Sequence, residues 1–116
     1  MEFKEVIGHI NLDENAVLER FSGNRALMER FIRKFPEDKT YMELCAAVDA
    51  NDAEEILRAA HTLKGVTANL GLQMLYADCS KMVEDLRADR DQAVQENFAR
   101  ISKEYQSVVG WLSRLG

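Results

Sequence analysis

The sequence predicts an all-α protein, an up-down-up-down four-helix bundle with a short extra N-terminal helix. Three observations predict this fold class. Helix breakers are rare, with one Pro and six Gly among 116 residues. Apolar residues recur every three or four positions along most of the chain, and capping residues stand where these stretches begin. We expect one domain over residues 1–116, with a lead-in at residues 1–10 and the bundle from about residue 12 to residue 115.

The N-terminal half contains three predicted helical segments. The first, over residues 13–21, begins at a predicted N-cap, Asp13. The second covers residues 25–35 and is stopped or kinked by Pro36. Residues 40–43 have the form of a capping box that restarts the helix. The side chains predicted to face inward are Val17, Leu18, Phe21, Leu27, Met28, Phe31, Phe35, Tyr41, Leu44, Cys45 and Val48.

Three further helices are predicted in the C-terminal half. Asp52 is the predicted N-cap of the first, with Glu55 as its reciprocal capping partner, and Gly71 is the left-handed residue that ends it. A second helix follows, and residues 88–91 form the turn to the last one. The inward stripes of these two helices are Leu72, Leu75, Tyr76, Cys79, Met82, Val83 and Leu86, then Val94, Phe98, Ile101, Tyr105, Val108, Leu112 and Leu115.

The helix between Asp52 and Gly71 presents a histidine on its polar side. At about 100° per residue, His61 points nearly opposite to the apolar stripe, and Lys64 and Gly65 lie on the His61 face. That stripe contains Ile56, Ala59, Leu63, Val66 and Leu70. Glycine inside a helix costs roughly 1 kcal/mol relative to alanine. Gly65 therefore indicates either access to His61 or close approach of another helix, and its place beside His61 favours access.

Composition excludes several classes of function. A net charge of -5 argues against nucleic acid or an anionic membrane as the main partner. No apolar run reaches the ~18 residues of a membrane span and the N-terminus is not a signal peptide, so we expect a cytoplasmic protein. Cys45 and Cys79 lack metal-type spacing and are predicted to be buried, reduced thiols. His9 and His61 are too few and too far apart to suggest a metal site with them.

An exposed His61 has four available roles: phosphoryl acceptor, general base, metal ligand or none. As a base it lacks a nearby nucleophile, since Thr62 points away around the helix. As a ligand it lacks a partner four residues away, where Leu57 and Gly65 stand. As a nucleophile it is well placed, because Lys64 discourages protonation of the ring and helps to neutralise phosphoryl oxygens. No Gly-rich phosphate loop and no Mg²⁺-binding carboxylate cluster accompany it, so we expect no ATP site.

The site residues carry a family resemblance. Residues 61–65 (HTLKG) followed by residues 68–71 (ANLG) resemble the signature of histidine-containing phosphotransfer (HPt) domains. The similarity extends to the capped start at Asp52 and to the lead-in at residues 58–60, and it covers most of the chain. The resemblance implies that His61 accepts and donates a phosphoryl group.

The donor and acceptor that this resemblance implies are aspartates of response-regulator receiver domains. The receiver would supply Mg²⁺, and the chain would need no cofactor of its own. A hybrid sensor histidine kinase is the other partner that the resemblance implies. Such a domain is a carrier and substrate without a kinase site, so whether it counts as an enzyme is left open.

Three residues around His61 are predicted to dock the partner: Leu57, Ala68 and Asn69. The alternatives are ordinary surface apolarity for Leu57 and a role in ending the helix for Asn69. Two other functions stay open. One is a helical interaction module that docks a receiver or kinase without being phosphorylated. The other is a structural bundle that forms homodimers, which leaves Gly65 unexplained; we expect a monomer.

Overall fold

The computed structural model describes residues 1–116 and is helical throughout. Its α-helices are α1 (Phe3–Ile7), α2 (Glu14–Arg20), α3 (Arg25–Arg33), α4 (Thr40–Asp49), α5 (Ala53–Asn69), α6 (Gln73–Arg87) and α7 (Val94–Leu112). Short 3₁₀-helices occupy Phe35–Glu37 and Asp91–Ala93. The only β-type pairing is an isolated bridge between Leu12 and Leu72. The all-α prediction is confirmed.

The four C-terminal helices form the bundle. Helix α5 packs between α4 and α6, and α6 packs on α7. The ring of Tyr41 in α4 stacks on that of Tyr105 in α7, with 3.7 Å between centroids, so that α4 and α7 are also neighbours. Short turns after α4 and α5 reverse the chain direction, as the up-down-up-down connectivity requires. A single cluster of 27 buried apolar residues runs through the whole molecule.

The sequence predicts one short extra helix before the bundle, but the structure contains more than one helix there. The lead-in itself contains α1, which buries Val6 and Ile7. Pro36 lies in a 3₁₀ turn between α3 and α4, so of the two predicted outcomes it stops the helix, which restarts at Thr40. The reason is that proline removes a backbone donor and clashes with the preceding turn. Three short helices therefore precede α4.

The predicted helix caps at Asp13 and Asp52 are confirmed. Their carboxylates accept hydrogen bonds from the backbone N–H groups of Ala16, at 3.2 Å, and Glu55, at 3.3 Å. The capping box at residues 40–43 is wrong, because the Asp38 carboxylate accepts the Thr40 N–H at 2.8 Å and takes the capping role. The Glu55 carboxylate pairs with Arg58 at 2.9 Å instead of returning to the N-cap.

Some predicted inward positions are corrected. Phe31 is 50% exposed and Tyr76 is 38% exposed, whereas Ile32 is fully buried in α3. Periodicity gives the angle of a side chain around its helix, but the neighbouring helices decide which angles are covered. Both thiols are free as predicted, and Cys79 is buried; Cys45 is only half-buried, so the prediction that it is buried is corrected. Burial raises the pKa of the Cys79 thiol to about 12.

A polar cluster closes the turn between α6 and α7. The buried Asp85 carboxylate accepts hydrogen bonds from Lys81 at 3.0 Å, from Arg90 at 2.8 Å and from Asn97 at 2.8 Å. We call these four residues the Asp85 cluster. Bonds from Asn97, Arg90 and Lys81 favour the ionised form and hold the pKa of Asp85 well below its usual range. Each member of the cluster therefore has a partner inside the chain.

Candidate functional site

The candidate site is built on the middle of α5. His61 is exposed, as the sequence predicts. The opposite side of the helix is buried through Ile56, Ala59, Ala60, Leu63 and Thr67. The hydroxyl of Thr67 donates to the carbonyls of Leu63 and Lys64, so burial of this polar side chain leaves no group unpaired. Helix α5 thus has one face fixed in the core and one face open.

The C-terminal end of α5 brings α2 to the site. Gly71 has φ +67°, and the N–H groups of Gly71 and Leu72 return to the carbonyls of Ala68 and Thr67. This is the Schellman arrangement, which confirms the predicted left-handed end. A Cβ at Gly71 would collide with Val17 of α2. The Asp13 N–H also donates to the Gly71 carbonyl at 3.1 Å, so the start of α2 is attached to the end of α5.

Gly65 faces open space. It is exposed, and a Cβ built on it would meet nothing within 4 Å. The alternative that another helix backbone packs closely on Gly65 is therefore wrong within the chain. The missing side chain leaves room one turn after His61, on the same face of α5.

Lys64 lies one turn after His61 in α5, whereas Arg58, one turn before it, is paired with Glu55 at 2.9 Å. The Lys64 side chain is half-buried, and its ammonium nitrogen lies 5.9 Å from the centre of the Tyr76 ring in α6. None of the ion pairs in the chain includes Lys64. Neither the ammonium of Lys64 nor the ring of His61 takes part in a side-chain hydrogen bond. Both groups are free to meet a ligand from outside.

The three predicted docking residues have different surroundings. Leu57 is half-buried and packs against the core, so its placement on a fully exposed stripe is corrected. Ala68 lines a depression of about 440 Å³ between α2, α5 and α6. Asn69 is exposed and lines another depression, of about 450 Å³, beside α3. Both depressions adjoin the C-terminal half of α5, the first beside α2 and α6 and the second beside α3 and the 3₁₀ turn at Phe35–Glu37.

Two residues at these depressions were missed as site residues. Arg20 reaches from α2 and donates to the Ala68 carbonyl, which is one of the last in α5 and attracts cations. Phe31 lines the depression beside Asn69. The position of Arg20 depends on contacts between segments far apart in the sequence, so no local pattern signals it. The spacing of Phe31 fits a helical stripe and therefore predicts a core position, which hides its place at the surface.

Other chemistry has little support in this arrangement. The Thr62 hydroxyl donates to the Arg58 carbonyl at 3.0 Å and is directed back along the helix. No group of three or more His, Cys, Asp or Glu side chains is arranged to hold a metal ion. The exposed face of α5 therefore contains the His61 imidazole, the Lys64 ammonium and the open space at Gly65.

The same helix lies at the centre of a family match. The model of the Hpt domain family matches residues 26–111, which include all of α5 and most of the chain. The chain belongs to the Hpt domain family. Hpt domains carry out histidine phosphotransfer in two-component phosphorelays, and they interact with receiver domains and kinases. The predicted family is confirmed.

The match begins within α3, so α1 and α2 lie outside the part of the chain that the Hpt domain model covers. No curated protein and no solved structure matches the chain significantly. None of the helices combines the length and the apolar character that crossing a membrane requires.

Proposed function

We propose that the chain is a phosphorelay carrier whose phosphoryl acceptor is the imidazole of His61. The observation that carries the proposal is the setting of this ring. It is exposed at the middle of α5, within the residues that match the Hpt domain model, with an unpaired Lys64 and an open Gly65 on the same face. Neutral imidazole is a good nucleophile whose ordinary pKa lies near neutral pH.

The reaction is a reversible transfer between aspartate and histidine. A lone pair on a His61 ring nitrogen forms the N–P bond. The P–O bond to the receiver's aspartate breaks, and the carboxylate leaves. Transfer onward to a second receiver reverses these steps. Such reactions depend on alignment and on neutralising charge at the phosphoryl oxygens. The receiver supplies the Mg²⁺ ion, and the chain supplies the acceptor in an accessible position.

Lys64 is proposed to neutralise part of the phosphoryl charge. It lies one turn after His61, and side chains in an α-helix lean toward the N-terminus, so its stem leans toward His61. Once the phosphoryl group is attached, the Lys64 ammonium makes charge-assisted hydrogen bonds to its oxygens.

The receiver is proposed to dock along the C-terminal half of α5. Ala68 leads from His61 into the depression that contains Arg20, and Asn69 leads into the one that contains Phe31. Partly exposed aromatic and arginine side chains are common in protein interfaces. Leu57, which is only partly accessible, contributes at the edge. We propose that a monomer of the chain binds one receiver at a time in this way.

A labelling experiment tests the proposal. The protein is mixed with a receiver domain that carries labelled phospho-aspartate and Mg²⁺. We expect the label to move to the protein in an acid-labile, base-stable form. His61→Gln should abolish the label, whereas His9→Gln, at the other exposed histidine, should leave it unchanged.

Two outcomes would contradict the proposal. Label that persists in His61→Gln would remove His61 as the acceptor. Receiver binding without any label on the natural sequence, across a panel of receivers, would favour the interaction module that docks without being phosphorylated.

A further inference from the structure

The only aromatic ring near the Lys64 ammonium is that of Tyr76. The two residues come from neighbouring helices, since Lys64 is in the C-terminal half of α5 and Tyr76 is in the first turns of α6. The nitrogen lies 5.9 Å from the ring centre, within the range of a cation–π interaction. The Tyr76 side chain is 38% exposed, so it is a surface contact and not part of the sealed core.

An aromatic partner differs from a carboxylate in what it leaves available. A carboxylate accepts the N–H donors of an ammonium and cancels its charge. A ring face attracts the cation through its quadrupole and leaves the net charge in place. Here Lys64 has the ring and no carboxylate. Its charge and its outward N–H donors therefore remain available to an anion bound at His61.

We propose that Tyr76 is a positioning residue for phosphoryl transfer, which acts by holding the Lys64 ammonium at the α5–α6 edge of His61. This inference rests on the proposed function of His61. Without the ring, the long lysine side chain samples many rotamers, and each transfer must restrict them. With the ring, the ammonium is already confined over Tyr76, one turn after His61 in the helix. The ring contact persists while the outward N–H donors of the ammonium make charge-assisted bonds to the phosphoryl group.

The test uses a small donor, because Tyr76 also lines the depression proposed to dock the receiver. Phosphoramidate is such a donor. A His61 ring nitrogen forms a bond to phosphorus, the N–P bond of phosphoramidate breaks, and the nitrogen leaves as ammonia after taking up a proton. The rate of phosphohistidine formation is then independent of receiver docking.

The natural sequence, Tyr76→Leu, Lys64→Ala and the double variant form a double-mutant cycle in that assay, and Tyr76→Phe and Lys103→Ala are added as controls. Tyr76→Leu should slow phosphorylation about two- to fivefold, the range of an exposed cation–π contact. Tyr76→Phe keeps the ring and should match the natural sequence within about 1.5-fold. In a Lys64→Ala background, Tyr76→Leu should have no further effect. Lys103→Ala, at an exposed lysine of α7 without an ion pair, is the control for removing a charge.

The cycle can overturn the inference in three ways. Tyr76→Leu could phosphorylate at the rate of the natural sequence or faster. Tyr76→Phe could be as slow as Tyr76→Leu, which would assign the effect to the hydroxyl. The loss could persist in the Lys64→Ala background, which would mean that Tyr76 does not act through Lys64. Circular dichroism and the melting temperature confirm that each variant is folded.

Failure of this inference differs from failure of the proposed function. If no phosphohistidine forms at position 61 with either donor, the proposed function fails. If phosphohistidine forms at equal rates in the natural sequence and in Tyr76→Leu, only the role of Tyr76 fails.

Discussion

The bundle contains two polar sites that differ in whether their charged and polar groups have partners within the chain. In the Asp85 cluster every member is paired, and the central carboxylate accepts three hydrogen bonds from side chains. At the His61 face, the imidazole and the Lys64 ammonium have no hydrogen-bond or ion-pair partner in the chain. The first site joins α6 to α7. The second leaves its polar groups for a ligand to satisfy.

Under the proposed function, this difference separates the residues that stabilise the fold from those that carry out the reaction. A buried carboxylate with satisfied hydrogen bonds resists change, because removing one partner leaves the others unpaired. An exposed imidazole contributes little to folding, since water satisfies it in both states. Chemistry placed on the open face can therefore vary without loss of the fold.

The largest expected effects come from removing the central side chain of each site in turn and measuring both stability and transfer. His61→Gln should abolish phosphotransfer and change the unfolding free energy by less than about 0.5 kcal/mol. Asp85→Ala should lower the melting temperature by about 5–10 °C, because the buried Asn97 amide loses its acceptor, and should leave transfer intact below the transition. Thermal denaturation and transfer assays on both variants provide the measurement. A large stability loss in His61→Gln would contradict the separation.

Gly65 tests whether open space matters at the site. Gly65→Gln should slow transfer about a hundredfold, because a long side chain one turn from His61 obstructs in-line approach. Gly65→Ala is the matched control and should raise the unfolding free energy by about 1 kcal/mol, since nothing lies within 4 Å of the added Cβ. Chemical denaturation measures the second effect. Transfer at the natural rate in Gly65→Gln would refute the access interpretation.

Lys64 tests the role of the unpaired cation. Lys64→Ala should lower the maximal transfer rate about tenfold, the loss of one charge-assisted hydrogen bond in the transition state. Receiver affinity should change less than the rate. Transfer rates across a range of receiver concentrations separate the two effects. If receiver affinity fell about tenfold while the maximal transfer rate did not change, Lys64 would be a docking residue only.

The smallest expected effect is on the pH dependence of folding stability, and it comes from the Asp85 cluster. The pKa of Asp85 is lower in the folded chain than in the unfolded one, because Asn97, Arg90 and Lys81 bond its ionised form. Its stabilising contribution is therefore fully present above the unfolded value of about 4 and is lost as the pH falls below it. Asp85→Asn should flatten the stability profile below about pH 4.

The difference between the natural and Asp85→Asn profiles isolates this group from the other carboxylates. Burial raises the pKa of Asp78 and of Glu104, so their contributions have the opposite sign and cancel in the difference. If the stability profiles of the natural sequence and of Asp85→Asn ran parallel below about pH 4, the lowered pKa of Asp85 would be contradicted.

Local rules predicted the parts of the fold that depend on local geometry. The caps at Asp13 and Asp52 and the left-handed end at Gly71 follow from backbone needs within a few residues, and the sequence carries their signals. The exposure of His61 follows from the helical wheel, because the opposite stripe is strongly apolar. These features are confirmed.

Features that depend on which helix packs where could not be predicted in the same way. Tyr76 fits the spacing of a buried stripe, yet it lies at the edge of the bundle and contacts Lys64. Arg20 reaches Ala68 across the contact between α2 and α5, where Val17 lies close to Gly71. A single turn at Pro36 separates α3 from α4 and leaves Phe31 half exposed. Each outcome depends on tertiary contacts that periodicity does not encode.

Mapping the transferred phosphoryl group tests the central claim most directly. After transfer from a receiver, tryptic digestion at alkaline pH preserves phosphohistidine and releases residues 59–64, which contain His61 as their only histidine, separately from residues 5–20, which contain His9. Mass spectrometry should find one phosphoryl group, on the peptide of residues 59–64. A phosphoryl group on any other peptide would contradict the claim that the open face of α5 is the site of chemistry.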